Sequence, residues 1–270
     1  MKTDAVKIQV RQTRKINSKG EITVTGALEA MLAQITSSPA VDNAFYREWA
    51  SRRFTIEELQ IFARNYGAWV KSFPDALAIL LTATHDLEAK TEYAKTLYSE
   101  MGYGNATKVH SVLLDNFLAE LAGKMGHEHK LDRAILNKST ELLPAAKALI
   151  EGEQQLYGDT QMSFGAQLAL EWQAYTMLRK LYDGARNYLD LWSDPDEFHG
   201  ACEYFYAHIG ATEKDHKEES LHAVKRYAID QESVTKIEEG YVHHLDLIFN
   251  FWKGLHDEIA NLPAKSSAAA

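Results

Sequence analysis

The sequence predicts an all-α protein folded as one helical bundle, and three observations support this. Only five prolines occur in 270 residues. Apolar residues recur every three or four positions along most of the chain, as in amphipathic helices. No stretch after Thr25 alternates apolar and polar residues for the length of a strand. Strand content should therefore stay below about 5%.

Turn residues divide the chain into about eight or nine predicted helices. Thr55 and Glu58 have the spacing of a capping box, which predicts that a long helix begins there. Pro144 falls inside another predicted helix. The predicted spans are 27–35, 41–54, a helix from 55 that continues through Pro74, 88–101, 106–126, 131–157, 162–192, a helix that starts behind Pro195 and passes through 203–228, and 232–262.

The chain is predicted to form a single domain. No linker rich in glycine, serine or proline interrupts residues 26–262, which we expect to fold as one unit. Residues 1–25 are β-branched and basic with a Ser-Lys-Gly break, and are predicted to form a leader or an extended arm. Residues 263–270, PAKSSAAA, offer no apolar face and are expected to be a flexible tail.

Composition and charge argue against several classes of protein. The apolar fraction of 46% and the charged fraction of 25% are typical of a globular chain. A formal charge of −9 and the lack of a basic stripe argue against nucleic acid as a partner. The apolar run 76–83 is too short to cross a membrane, which takes about 20 residues. The single cysteine, Cys202, and the absence of a signal segment predict a cytoplasmic protein.

Six residues combine metal-binding side chains with predicted burial: Glu100, His110, Glu171, His208, Glu213 and His216. Carboxylates and imidazoles that reach a bundle core from several helices are the ligands of non-haem iron that activates dioxygen. Glu171 is the most informative, because an unpaired carboxylate among its apolar neighbours would be costly. In the alternative interpretation, Glu171 faces water and pairs with a lysine or an arginine.

Two of these candidates flank a turn. Glu100 directly precedes MGYGN, and His110 opens the next predicted helix within KVHSVLLDNF. The two glycines permit a tight turn, which would let both side chains converge. His110 on its own is also compatible with a hydrogen-bonded core histidine.

The remaining candidates lie in HIGATEKDH. Glu213 and His216 are three residues apart and share a helix face, the spacing found in carboxylate-bridged di-iron bundles. The surrounding EKDHKEE is equally typical of a solvated charged face. His208 favours the metal interpretation, because it lies among aromatic residues that are unusual on a wet face.

Together these residues resemble the haem-oxygenase-like di-iron oxidases and oxygenases, the family that includes the chlamydial protein associating with death domains. The resemblance spans residues 27–260 and rests on Glu100 with His110, on GAQLALE ending in Glu171, and on the cluster after His208. It implies a haem-oxygenase-like bundle that binds two iron ions. The implied ligands are Glu100, His110 and His208 for one ion, and Glu171, Glu213 and His216 for the other.

The resemblance also implies a reaction and partners. The expected activity is that of an oxidase or oxygenase that uses dioxygen on a small amine, amino acid or carboxylic acid. A homodimer is an open possibility. Four tyrosines near the ligands in sequence are candidates to contact them: Tyr103, Tyr175, Tyr204 and Tyr206.

The chain departs from the family pattern in its last element, which reads His-x3-Asp/Glu-x2-His in relatives. Thr212 occupies the acid position, while Glu213 and His216 follow one residue late. A π-bulge near Gly210 would absorb the extra residue. A second register, Asp215 with Glu219 and His222, keeps the spacing but places an aspartate where the family has histidine.

Other functions are compatible with the same residues. The fold family includes metal-free enzymes such as the thiamin-degrading TenA proteins and pyrroloquinoline-quinone synthase C, so a metal-free enzyme or a small-molecule-binding protein is the main alternative. TenA-type enzymes use a cysteine nucleophile, for which Cys202 is the only candidate. Haem oxygenases need a histidine near the N-terminus, but the first histidine here is His85. An interaction protein with an acidic partner face is a third alternative.

Overall fold

The computed structural model describes residues 24–137, 141–209 and 211–263, without the side chains of residues 24, 25 and 211–216. These ranges contain no strand, which confirms the all-α prediction. The predicted arm lies outside them except for its last two residues, and the predicted tail except for Pro263. The helices are α1 (Val24–Gln34), α2 (Ala44–Ser51), α3 (Ile56–Ala83), α4 (Leu87–Glu100), α5 (His110–Lys124), α6 (Arg133–Leu136), α7 (Pro144–Gly158), α8 (Met162–Ala185), α9 (Pro195–Ala201), α10 (Glu203–Ile209), α11 (Ala211–Tyr227) and α12 (Gln231–Ala260).

Side-chain caps define where several helices begin. The Thr55 hydroxyl accepts a hydrogen bond from the Glu58 N–H, and the Glu58 carboxylate accepts one from the Thr55 N–H, which is the predicted capping box of α3. Asp86 caps α4 by accepting from the Ala89 N–H, and Asp230 forms a capping box with Ser233 at the start of α12. These bonds satisfy backbone donors that the first turn of a helix leaves unpaired.

Two predicted helices were drawn too long. The helix predicted over 131–157 is two helices, α6 and α7, because Pro144 begins α7 instead of lying inside a helix. Proline has no N–H to donate and restricts the residue before it, so it suits the first turn. The helix predicted over 162–192 ends at Ala185 and continues as a 3₁₀ segment, Arg186–Leu191.

Two further predicted helices are divided near the candidate ligands. The helix predicted from Ala106 is a 3₁₀ turn, Ala106–Lys108, followed by α5, which begins at His110 itself. The helix predicted from behind Pro195 through 203–228 is divided into α9, α10 and α11. Gly210, where the π-bulge was predicted, lies between α10 and α11 and outside the described residues.

Helix α8 is the centre of the bundle and packs against α2, α7, α10, α11 and α12. It crosses α12 with backbone in contact with backbone, at Gly165 of α8 and Gly240 of α12. A Cβ atom at Gly165 would clash with the Ile237 carbonyl, and one at Gly240 would clash with the Met162 carbonyl. Glycine at both positions therefore sets how closely the two helices approach.

The longest helices, α3 with 28 residues and α12 with 30, enclose an aromatic core together with α2. The ring of Phe45 is tilted against Trp252 at 4.8 Å between centroids and stacks on Phe62 at 5.9 Å, and Phe62 stacks on Tyr66 at 5.1 Å. Such ring pairs add specific contacts to the burial of large apolar surfaces. Within the described ranges, no helix is apolar over a length that would cross a bilayer.

Candidate metal centre

A glycine-containing loop joins Glu100, the last residue of α4, to His110, the first of α5. Gly102, Tyr103 and Gly104 have φ angles of 64°, 54° and 83°, which is left-handed backbone. A Cβ on Gly102 would lie 2.5 Å from the carbonyl carbon of Lys108, so glycine also permits the loop to close on itself. The turn returns the chain to the point where α4 ends.

Three of the predicted ligands meet at this point. Nδ1 of His110 lies 2.8 Å from Oε2 of Glu100, and Nε2 of His208, from α10, lies 3.6 Å from Oε1 of the same carboxylate. The two imidazole rings are 4.2 Å apart between centroids. One ligand atom of each residue lies within 4.8 Å of the others, and all three residues are buried.

The backbone orients His208 toward the cluster. Its Nδ1 lies 2.8 Å from the carbonyl oxygen of Tyr204, one turn earlier in α10. A carbonyl only accepts hydrogen bonds, so Nδ1 carries the proton and Nε2 faces Glu100. Histidine ligands of metal ions are usually held by such a bond from the other ring nitrogen.

Charges in the cluster shift its pKa values in both directions. Burial alone would raise the pKa of Glu100, but His110 and His208 hold it well below its usual range. Burial opposes protonation of His110, yet the Glu100 carboxylate raises the pKa of His110 above its ordinary value. Burial and the neighbouring His110 lower the pKa of His208. A second imidazolium is therefore disfavoured beside the first.

The donor set fits a divalent metal ion. Nδ1 of His110 is buried and makes no well-directed hydrogen bond, although Glu100 lies 2.8 Å away. Two donors that bind one octahedral ion at about 2.1 Å lie about 3 Å apart, so this spacing suits two ligands of one ion. Two histidines and one carboxylate are the donor set of many non-haem Fe(II) oxygenases.

Glu171 lies on the wall of a pocket beside this cluster. Its side chain is 3% exposed and accepts a 2.5 Å hydrogen bond from Nε2 of Gln167. The pocket has about 470 Å³ of empty space, part of it in the open mouth. Its other lining residues are Glu100 and His208 and the mostly apolar set Tyr66, Trp69, Val70, Phe73, Leu170, Ala174, Met177, Leu178 and Tyr204.

Glu213 and His216 belong to α11, but their side chains lie outside the described part of the structure. The structure thus brings together Glu100, His110 and His208, places Glu171 in the adjoining pocket, and leaves the last two ligands as predictions. In the alternative register, Glu219 lies 3.4 Å from Lys95, and His222 is over half exposed beside Glu92. The exposure of His222 favours the register in which Glu213 and His216 are the ligands.

Of the four tyrosines predicted near the site, one lines the pocket. Tyr204 does so, and its hydroxyl lies 2.7 Å from that of Tyr66, which the sequence did not single out. Tyr103 is 56% exposed and accepts a hydrogen bond from Ser99. The other two contact polar groups elsewhere, Tyr206 the Tyr182 hydroxyl and Tyr175 the Lys217 ammonium.

A second buried polar group behind the pocket was also missed. His244 of α12 lies 3.0 Å from the Glu153 carboxylate of α7, which accepts the indole N–H of Trp69 at 3.2 Å. Trp69 itself lines the pocket. The available signal was weak: a histidine and a glutamate at apolar positions of two amphipathic helices.

Cys202 is fully buried between α9 and α10 and does not line the pocket. Burial, with a smaller contribution from Glu120, raises the pKa of its thiol to about 12. A nucleophilic cysteine requires an accessible thiolate, so this environment argues against TenA-type catalysis.

Similar proteins support the same fold. A 4-aminobenzoate synthase from Chlamydia muridarum is 32% identical over 79 residues, which is 29% of this chain and only 34% of that protein. A crystal structure of a CADD-like protein of unknown function from Nostoc punctiforme superposes with a TM-score of 0.67 at 16% identity, covering 87% of this chain and 97% of that one. A TenA homologue from Pseudomonas syringae gives 0.64 at 10% identity, covering 87% and 96%.

The two structures, at such low identity, establish the haem-oxygenase-like helical fold and nothing more. The family assignment comes from the sequence itself. The profile of a family described as iron-containing redox enzymes matches residues 60–248, well over half of the chain, and this span includes α4, α5, α8 and α10. The chain therefore belongs to the family of iron-containing redox enzymes.

Proposed function

We propose that this protein is a non-haem iron oxidase or oxygenase that uses dioxygen on a small amine, amino acid or carboxylic acid. The observation that carries the proposal is the buried convergence of Glu100, His110 and His208, of which Glu100 and His208 line the adjoining pocket. Membership of a family of iron-containing redox enzymes supports the choice of metal. The name of the chlamydial relatives supports a synthase-type reaction on a small molecule.

We assign Glu100, His110 and His208 to one iron ion and Glu171, Glu213 and His216 to a second. Glu171 supports the second ion because it shares the pocket with two ligands of the first. Positions 213 and 216 precede the buried Ser220 by seven and four residues. Residues at these spacings share one face of a regular helix, so the buried face of α11 would extend to both.

Iron, when bound, would supply the electrons that reduce dioxygen. The chain contributes the environment for that chemistry. The apolar walls of the pocket exclude water from the reacting groups, which strengthens electrostatic interactions inside. The hydroxyls of Tyr66 and Tyr204 form a buried pair beside Glu100; one donates to the other, which leaves one O–H that can donate to a bound substrate. His208, fixed through Tyr204, keeps its Nε2 toward the metal-binding side.

The direct test measures iron and oxygen consumption together. After anaerobic reconstitution with Fe(II), we expect up to two iron ions per chain and Fe(II)-dependent uptake of dioxygen. Glu171→Ala should lower both, because it removes a ligand of the second ion. If Glu171→Ala leaves iron per chain and oxygen uptake unchanged, the proposed mechanism is wrong.

A matched pair of histidine variants tests the ligand assignment. His208→Ala should lose iron, whereas His222→Ala, which replaces the exposed histidine of the alternative register, should retain it. The reverse result would show that the alternative register is the correct one. Iron-free wild-type protein after reconstitution would favour a metal-free helical enzyme or binding protein.

A further inference from the structure

A chain of buried hydrogen bonds leads from α7 to the Glu171 carboxylate. The Tyr157 hydroxyl donates to Oε1 of Gln167, and Nε2 of Gln167 donates to Oε1 of Glu171 at 2.5 Å. Tyr157 and Gln167 are 0% exposed, and Glu171 is 3% exposed. These hydrogen bonds therefore lie entirely within the protein interior.

The direction of these bonds follows from the chemistry of the groups. An ionised carboxylate only accepts hydrogen bonds, so the amide nitrogen of Gln167 must face Glu171. The amide oxygen then faces Tyr157, whose hydroxyl must be the donor. Burial, reinforced by the nearby Glu153 and Glu171, raises the pKa of Tyr157 well above its usual value. The hydroxyl therefore keeps its proton, and both hydrogen bonds point from Tyr157 toward Glu171.

The three residues also tie together two helices. Gln167 and Glu171 are four residues apart on the same face of α8, while Tyr157 comes from the neighbouring helix α7. A flexible glutamate side chain is thereby held from both helices through one amide.

We infer that Gln167, held in place by Tyr157, is a positioning residue that fixes the orientation of the Glu171 carboxylate toward the pocket; this inference rests on the proposed role of Glu171 as a metal ligand. With Oε1 engaged by the amide, the carboxylate has one preferred rotation about its terminal bond. A preoriented ligand binds its ion more tightly, since less freedom is lost on binding.

Helix α8 offers a matched control for the test. Gln173 is the other fully buried glutamine of this helix, and its amide contacts Met177 Sδ at 3.8 Å. Gln167→Leu and Gln173→Leu remove the same amide from the same helix at the same depth. Both variants should lose some thermal stability, and only the first removes the donor to Glu171.

The experiment titrates metal-free protein with Co(II) under anaerobic conditions and records affinity and the visible spectrum of the bound ion. Gln167→Leu should bind Co(II) about 10- to 100-fold more weakly, with a shifted spectrum, as expected when the partner of a ligand is removed. Gln173→Leu should match the wild type in both. A Gln167→Leu protein with wild-type affinity and spectrum would overturn the inference.

Tyr157→Phe provides a second, milder variant. It should weaken Co(II) binding in the same direction, and the double variant with Gln167→Leu should be no weaker than Gln167→Leu alone, because both act through one bond. Additive losses would overturn the role of Tyr157, as would unchanged binding in Tyr157→Phe. Wild-type protein that binds no Co(II) would instead contradict the proposed metal site itself, so the two failures are distinguishable.

Discussion

The imidazole of His244 lies 3.0 Å from the carboxylate of Glu153, and the two side chains are 0% and 1% exposed. They come from α12 and α7, two helices packed against each other. The carboxylate also accepts a hydrogen bond from the indole N–H of Trp69, which lines the pocket. This pair thus fixes the rear of the pocket.

Replacing Glu153 with leucine should destabilise the protein by about 3–5 kcal/mol, because it leaves His244 and the Trp69 N–H buried without their acceptor. Urea unfolding measures this loss. Lys253→Ala, which breaks an exposed ion pair with Asp257, is the control and should cost at most about 1 kcal/mol. A loss below about 1 kcal/mol for Glu153→Leu would show that the pair contributes little.

Metal should stabilise the fold by mass action, since the predicted ligands converge only in the folded protein. At a free Co(II) concentration of about 100 times the dissociation constant, the gain is about 2.7 kcal/mol, visible as a higher melting temperature. Glu100→Gln should lose this gain. Glu203→Gln, which alters an exposed acid paired with Lys108, should retain it. Equal metal-induced shifts in both variants would exclude Glu100 as a ligand.

Gly165→Ala and Gly240→Ala should each destabilise the protein by about 1–3 kcal/mol or more, because the added methyl group meets the backbone of the facing helix. Gly200→Ala is the control, since a Cβ there meets nothing within 4 Å. Differential scanning calorimetry on the three variants gives the comparison. If Gly165→Ala melts at the same temperature as the wild type, α8 and α12 can separate without cost.

The ion pair between Asp86 and Arg226 predicts a pH dependence. A hydrogen bond from Arg226 and one from the Ala89 N–H lower the pKa of Asp86 to about 2. A carboxyl whose pKa is lowered by folding adds stability above its unfolded pKa, and this gain disappears as the pH falls toward about 2. Asp86→Asn keeps a capping side chain for α4 but removes the charge. The free energy of unfolding of this variant should be lower than that of the wild type at pH 5 and approach it near pH 2. A difference in unfolding free energy that stays the same from pH 5 to pH 2 would contradict the assignment.

Features that depend on neighbouring residues were predictable from the sequence. The turn between Glu100 and His110 follows from two glycines, and the start of α3 follows from Thr55 and Glu58. The contact between Gln167 and Glu171 could also have been predicted from the sequence, because residues four apart on a helix share a face. Treating Pro144 as a helix-interior residue was wrong, because proline is better suited to the first turn.

Features that depend on helix packing were not predictable from local patterns. Tyr66 and Tyr204 are 138 residues apart, and Glu153 and His244 are 91 apart. Each pair forms only because particular helix faces meet in the bundle. A single sequence shows which face of a helix is apolar, but it does not show which neighbouring helix packs against that face.

The glycine crossing of α8 and α12 has a consequence for protein engineering. Because main chain touches main chain there, the spacing between the backbones of α8 and α12, which carry Glu171 and His244, depends on these two glycines. Val70, Phe73 and Ala174 line the pocket away from this crossing, so substitutions there can change the shape of the pocket without separating the two helices. Libraries that aim at a new substrate range should vary these three positions and keep Gly165 and Gly240 invariant.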